Sequence, residues 1–291
     1  ITGGAGNDTL RGDANDSAVV AGNAGNDTIV VGTDHDTVTG GAGNDSITAG
    51  GGNDNIDGGA GNDTVTMVAT LATGDVIDGG EGTDTLSITT AGLTTLDGYA
   101  ISAITNLNGN ISNVERVTVS DAMNVDSAFD MARLDDISYV TLAAGTDADG
   151  ESISGLQNNS TVVMNTADAA APALTLALGS STGTADVLNF TMTQDANDDY
   201  GSIVVSGLET LNISVTESAA TGAYTATLGT TITTSTNGTT VNISGTESVT
   251  VNTVIAAQTV NSSSLTGAFI MTNTTGSSLA QTFTSGAGAD T

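Results

Sequence analysis

Five aspartates stand nine residues apart between Gly22 and Thr66: Asp27, Asp36, Asp45, Asp54 and Asp63. A carboxylate at every ninth position can bind hard cations, and its neighbours decide how. Two residues after each aspartate comes one aliphatic: Ile29, Val38, Ile47, Ile56 and Val65. Before each comes a run of mostly Gly, Ala and Asn, as in GGAGNDSIT (Gly40 to Thr48) and GGAGNDTVT (Gly58 to Thr66). Such a run cannot pack a core, but it suits a tight turn, because Gly, Asn and Asp accept left-handed backbone. The three residues that follow make a short strand with one side chain pointing inward. Turn plus strand is half a coil, so two units close one coil of about 18 residues. Coils stacked at about 4.8 Å would place Asp27, Asp45 and Asp63 above one another on one edge. Asp36, Asp54 and, after a three-residue slip, Asp75 would line the other.

Such a stack repels itself, by roughly 1 kcal/mol per pair in water and more when desolvated. No Lys or Arg lies between Gly12 and Arg116 to relieve it. A dication would. Carboxylates and bare Gly carbonyls together offer six or so oxygens, a set that suits calcium. Magnesium keeps several waters and zinc prefers His or Cys. The pattern extends outward to Asp8 in Gly3 to Arg11, and beyond the slip to Asp75 with Ile77 and Asp84 with Leu86.

These units resemble the GGxGxDxUx nonapeptide of the RTX (repeats-in-toxin) family, where U is aliphatic. The resemblance implies a calcium-loaded parallel β-roll over residues 1–88 that holds several Ca2+ ions. It implies side-chain ligands at Asp8, Asp27, Asp36, Asp45, Asp54, Asp63, Asp75 and Asp84. Carbonyl donors would include Gly41, Gly43, Gly59 and Gly61.

The composition narrows the function. With 33 acidic residues, three Arg and no Lys, the net charge is −30. That argues against nucleic-acid binding through a basic face and against adsorption to anionic lipid. No apolar run approaches the length of a membrane-spanning helix, so no direct membrane insertion is expected. Without Cys there are no disulfides or thiolate metal sites. The single His35, between Asp34 and Asp36, reads as a solvated turn residue and not as a general base. Without Lys there is no Schiff-base chemistry and no phosphate-binding P-loop. The sequence therefore reads as non-enzymatic. It opens and closes inside repeats, and reads as a fragment.

Residues 89–285 lose the nine-residue period and turn rich in Thr, Ser and Val. Alternation at Leu174/Leu176/Leu178, Leu188/Phe190/Met192, Leu211/Ile213/Val215 and Val249/Val251 predicts strands. One helix is predicted over Ser127–Asp136, capped by Asp126, and Pro172 marks an edge. A faint repeat recurs as ISNVERVTVS, VSGLETLNIS and ISGTESVTVN, each with a turn, a Glu (Glu115, Glu209, Glu247) and a strand. ISGLQ at Ile153 to Gln157 is a fourth copy. The all-β reading here is an irregular solenoid, with a β-sandwich as the alternative. Residues 286–291, within SGAGADT, would start a second roll. Asp147/Asp149/Glu151 and Asp195/Asp198/Asp199 could be further calcium loops, against the simpler reading of solvated acidic turns.

This roll-plus-β arrangement is similar to the calcium-dependent surface-layer proteins of Gram-negative bacteria. That likeness implies a protein exported by type I secretion to the cell surface, associating with itself in a lattice. Contact with cell-surface polysaccharide would fall to regions outside the fragment. The alternatives are a segment of a large adhesin or biofilm-matrix protein, and the non-catalytic roll of a secreted hydrolase.

Overall fold

The nine-residue period becomes a stack of parallel strands. The computed structural model describes residues 1–69, 71–72, 74–89, 110–123, 128–131, 134, 137–146, 150–165, 173–179, 185–194, 200–206, 208–217, 225–228, 231–233, 239–251, 254–257, 259–271, 282–288 and 290. The chain divides into two units. Unit 1 is Ile1–Ser120 with Met131–Ile137, and unit 2 is Asp121–Asp130 with Ser138–Thr291.

Unit 1 contains β1 (Thr9–Arg11), β2 (Val19–Ala24), β3 (Thr28–Val30), β4 (Thr37–Ala42), β5 (Ser46–Ala49), β6 (Asn55–Ala60), β7 (Thr64–Met67), β8 (Val76–Glu81), β9 (Thr85–Ile88), β10 (Ile111–Ser112) and β11 (Arg116–Val119). Odd-numbered strands stack in the order β1-β3-β5-β7-β9-β11, and even-numbered ones in the order β10-β8-β6-β4-β2. Among the described residues these strands pair in parallel, as in β3 on β5 and β4 on β6. Each chain reversal therefore carries the strand to the opposite sheet. The eighth-position aliphatics form the core. Leu10, Ile29, Ile47, Val65, Leu86 and Val117 stack in one file. Val20, Val38, Ile56, Ile77 and Ile111 stack in the other. All are buried, each contributing roughly 1.5–3 kcal/mol of apolar transfer.

Unit 2 contains β12 (Ala128–Asp130), β13 (Tyr139–Leu142), β14 (Ser152–Leu156), β15 (Ser160–Met164), β16 (Ala173–Leu178), β17 (Val187–Gln194), β18 (Ser202–Ser206), β19 (Thr210–Glu217), β20 (Thr225–Leu228), β21 (Thr231–Thr233), β22 (Thr240–Gly245), β23 (Ser248–Val251), β24 (Val254–Ala256), β25 (Thr259–Leu265), β26 (Phe269–Met271) and β27 (Thr282–Thr284). Three parallel sheets result: β13-β15-β17-β19-β22-β25-β27, β12-β14-β16-β18-β21-β24 and β20-β23-β26. This is the irregular solenoid and not the sandwich, whose sheets would be antiparallel. Val140, Val162, Phe190, Ile213 and Ile243 form one core file. Beside it an asparagine ladder runs up the sheet. Asn212 Nδ2 donates to Asn189 Oδ1 (2.9 Å), Asn242 to Asn212 (2.9 Å) and Asn261 to Asn242 (3.3 Å).

Among the described residues of Ser127–Asp136 the expected helix does not form. Ala128–Asp130 is strand β12, paired in parallel with β14 through Phe129 and Ile153. Burial of Phe129 in that pairing outweighs a modest local helix preference, as tertiary packing commonly does. Asp126 and Pro172 lie outside the described residues.

Candidate metal centre

The residue just before each odd-numbered roll strand is an acid, and the coils set these acids in file. Asp8 N–H donates to Asp27 Oδ1 (2.7 Å), Asp27 N–H to Asp45 Oδ1 (2.8 Å), Asp45 N–H to Asp63 Oδ1 (2.7 Å) and Asp63 N–H to Asp84 Oδ1 (2.7 Å). The sequence separations are 19, 18, 18 and 21. The first matches the extra residue near Gly12 to Ala21, and the last matches the three-residue slip. On the other edge Ala18 N–H donates to Asp36 Oδ1 (2.7 Å), Asp36 N–H to Asp54 Oδ1 (2.9 Å) and Asp54 N–H to Asp75 Oδ1 (2.8 Å).

One oxygen of each carboxylate from Asp27 onward is thus committed to the neighbouring coil. The other separates interior rungs from end rungs. At the ends Asp8 Oδ2 accepts Gly4 N–H and Asp75 Oδ2 accepts Ala72 N–H. In between, the Oδ2 atoms of Asp27, Asp36, Asp45, Asp54, Asp63 and Asp84 are buried without a hydrogen-bond partner. Each such oxygen costs about 1–3 kcal/mol, and more when charged. Several together rival the whole stability of a domain. Something must satisfy them.

On the edge of Asp27, Asp45, Asp63 and Asp84, the glycine that opens each unit shows the shape of the space. A β-carbon on Gly40 would stand 2.4 Å from Gly58 O and 2.5 Å from Asp45 Oδ2. On Gly22 it would meet Asp27 Oδ2 and Gly40 O, and on Gly58 it would meet Gly79 O at 2.3 Å and Asp63 Oδ2 at 2.7 Å. On Gly79 it would meet Asn113 O and, at 2.9 Å, Asp84 Oδ2. Each cradle is walled by a carboxylate oxygen and a carbonyl of the next coil. Gly41, Gly43, Gly59 and Gly61 lie nearby, all at positive φ between 104° and 141°. The cradles themselves are walled wholly by oxygen, which fits calcium.

Electrostatics agrees with an absent positive charge. Burial pushes the carboxyls of Asp54 and Asp63 up to about 6, opposed by the N–H bonds from Asp36 and Asp45. Neighbouring carboxylates, Asp75 and Asp36 for the first and Asp45 and Asp84 for the second, add to the rise. Asp45, Asp75 and Asp84 are raised too, burial again leading.

Three features escaped the sequence reading. Glu115 extends the first file, since Asp84 N–H donates to its Oε2 (2.7 Å) across 31 residues. The first-glycine carbonyls and Asn113 O join the donor set. The fifth-position asparagines form their own ladder, Asn26 N–H to Asn7 Oδ1, Asn44 to Asn26 and Asn62 to Asn44, each 2.8 Å. That signal was present in the period. On the opposite edge His35 takes the asparagine's place. It is exposed, as expected of a turn residue, but its Nδ1 accepts Asn53 N–H at 2.7 Å. Asp147, Asp149, Asp195, Asp198 and Asp199 lie outside the described residues, while Glu151 is buried.

A parallel roll whose turns hold oxygen-lined, unsatisfied carboxylates defines a calcium-binding β-solenoid. Residues 1–17, 19–38, 30–65 and 72–87 match the RTX calcium-binding nonapeptide repeat in four copies. These stretches are RTX repeats, and repeats of this kind bind several Ca2+ ions. No curated protein and no solved structure matches it.

Proposed function

We propose that this chain is a structural segment of a bacterial surface layer, folded by the calcium it meets outside the cell. RTX repeat proteins are generally secreted, which supports an extracellular setting. One observation carries the reading: six rung carboxylates each keep a buried, unpartnered oxygen, and at Asp27, Asp45, Asp63 and Asp84 a glycine cradle sets a main-chain carbonyl beside it. Calcium at Asp27, Asp36, Asp45, Asp54, Asp63 and Asp84, with end rungs Asp8 and Asp75, would turn mutual repulsion into cohesion. Binding free energy then acts as folding free energy. Extracellular calcium modules work at roughly 10⁻⁴ to 10⁻³ M. In a low-calcium cytoplasm the roll would stay unfolded, a state that type I export can thread.

The lattice assignment is supported by the composition of the β region and by a net charge of −30 without a single Lys. Such surfaces associate through shared metal and strand edges. The test has two parts. Far-ultraviolet circular dichroism of the chain should gain β signal on calcium addition, and equal signal in excess chelator would end the folding mechanism. Electron microscopy of producing cells should show a periodic sheet that chelation strips. Isolated fibres, or attachment that needs a ligand, would favour the adhesin instead.

A further inference from the structure

We propose that Asp186 and Glu209 form a calcium rung of unit 2, outside the nonapeptide repeats. The proposal rests on the reading that the roll rungs hold calcium, and begins at the last of them. There three hydrogen bonds join the two acids and the strand that follows. Asp84 N–H donates to Glu115 Oε2 (2.7 Å), while Asp84 O accepts Glu115 N–H (3.2 Å) and Arg116 N–H (3.0 Å). At the second place Asp186 N–H donates to Glu209 Oε2 (2.8 Å). Asp186 O accepts Glu209 N–H (3.1 Å) and Thr210 N–H (3.0 Å). The same three bonds recur at matching lengths, and the residue before each Glu, Val114 or Leu208, is buried in both.

A second observation points to a ligand. Asp186 is 5% exposed, and its Oδ2 is buried with no hydrogen-bond partner. Asp84 Oδ2 has the same status. An acid sealed in this way beside a second carboxylate calls for positive charge, and a chain with three Arg and no Lys has little of its own. The donors are oxygens, so the ligand class is a hard divalent cation.

The file also sets the number of ions. On one side Asn158 holds the neighbouring coil, its Oδ1 accepting Val187 N–H (2.8 Å) and its Nδ2 donating to Ala185 O (3.3 Å). On the other side β19 pairs with β22 through Thr210 and Thr240, which sets Thr239 level with Glu209. Its Oγ1 donates to Leu208 O (2.9 Å). Both neighbours are uncharged. Among the described residues the pair has no further acid beside it in the file, and it takes one ion.

The test counts calcium per chain by equilibrium dialysis and atomic emission on the full 291-residue chain. The double variant Asp186→Asn/Glu209→Gln should bind one ion fewer than the parent. An unchanged count overturns the proposal. Asp45→Asn is measured alongside. Loss there, with none in the double variant, sinks the unit 2 rung and leaves the roll. Loss in the double variant alone sinks the roll reading and leaves this rung. Should the double variant not fold, amide exchange of the parent decides. Calcium, but not equal magnesium, should slow Asp186 and Thr210, and unchanged rates overturn the proposal.

Discussion

Asp45 and Asp57 carry the same charge in neighbouring half-coils and do different work. Asp45 accepts the Asp27 N–H, donates its own to Asp63 and leaves Oδ2 buried and unsatisfied. Asp57 lies exposed on β6. Asp45→Asn keeps a carbonyl to accept the Asp27 bond but removes the charge. It should raise the calcium midpoint of the dichroism transition by roughly ten- to a hundredfold, in line with the about 1.5–3 kcal/mol typical of a bond to a charged group. Asp57→Asn should shift it little. Equal shifts would mean that the rung register is wrong. At this scale the aspartates were legible, because a nine-residue period repeated in one register leaves little room for error. Glu115 was not. It reaches Asp84 across 31 residues, far outside the period, and only the stacking of β11 on β9 brings them together.

On the edge of Asp27, Asp45, Asp63 and Asp84, each turn depends on the absence of a side chain at its first glycine. Gly40 shows no left-handed φ, so alanine meets no backbone penalty there. Its β-carbon would instead occupy the cradle between Gly58 O and Asp45 Oδ2. Gly40→Ala should therefore weaken calcium binding while Gly6→Ala, with open space around it, should not; calorimetric titration of both variants compares them. The strands answer to packing. Ile47 is fully buried between Ile29 and Val65, and Ile47→Ala should cost about 2–5 kcal/mol, read by thermal melting in saturating calcium. Strand positions in the roll followed from single aliphatics spaced by turns. In unit 2 alternation marked β16, β17, β19 and β23, but alternation does not reveal which strands pair, so solenoid and sandwich stayed open until the pairing was seen. The helix expected at Ser127–Asp136 failed for a related reason: Phe129 is read locally as helix-compatible, while its partner Ile153 lies a coil away.

Over the whole molecule the rungs couple folding to both protons and calcium, in opposite directions. In the metal-free fold, burial raises Asp54 and Asp63 to about 6 from an ordinary 3.8. The folded chain then holds protons more tightly than the unfolded one, so these groups stabilise it below about pH 4 and the benefit fades as pH rises through about 6. Asp45, Asp75 and Asp84 shift the same way. Calcium needs the deprotonated rungs, so its affinity should rise over the same interval. Calcium-free buffer should accordingly show more β signal at acidic pH than at neutral pH. Saturating calcium should reverse the order, and the calcium midpoint should fall between about pH 5 and pH 7, where carboxyls raised to this degree lose their protons. A calcium midpoint independent of pH across that window would mean that the rung carboxylates are not what the ion binds. A metal-free chain more structured at neutral than at acidic pH would mean that the cost of burying ionised rungs is not what keeps the roll open.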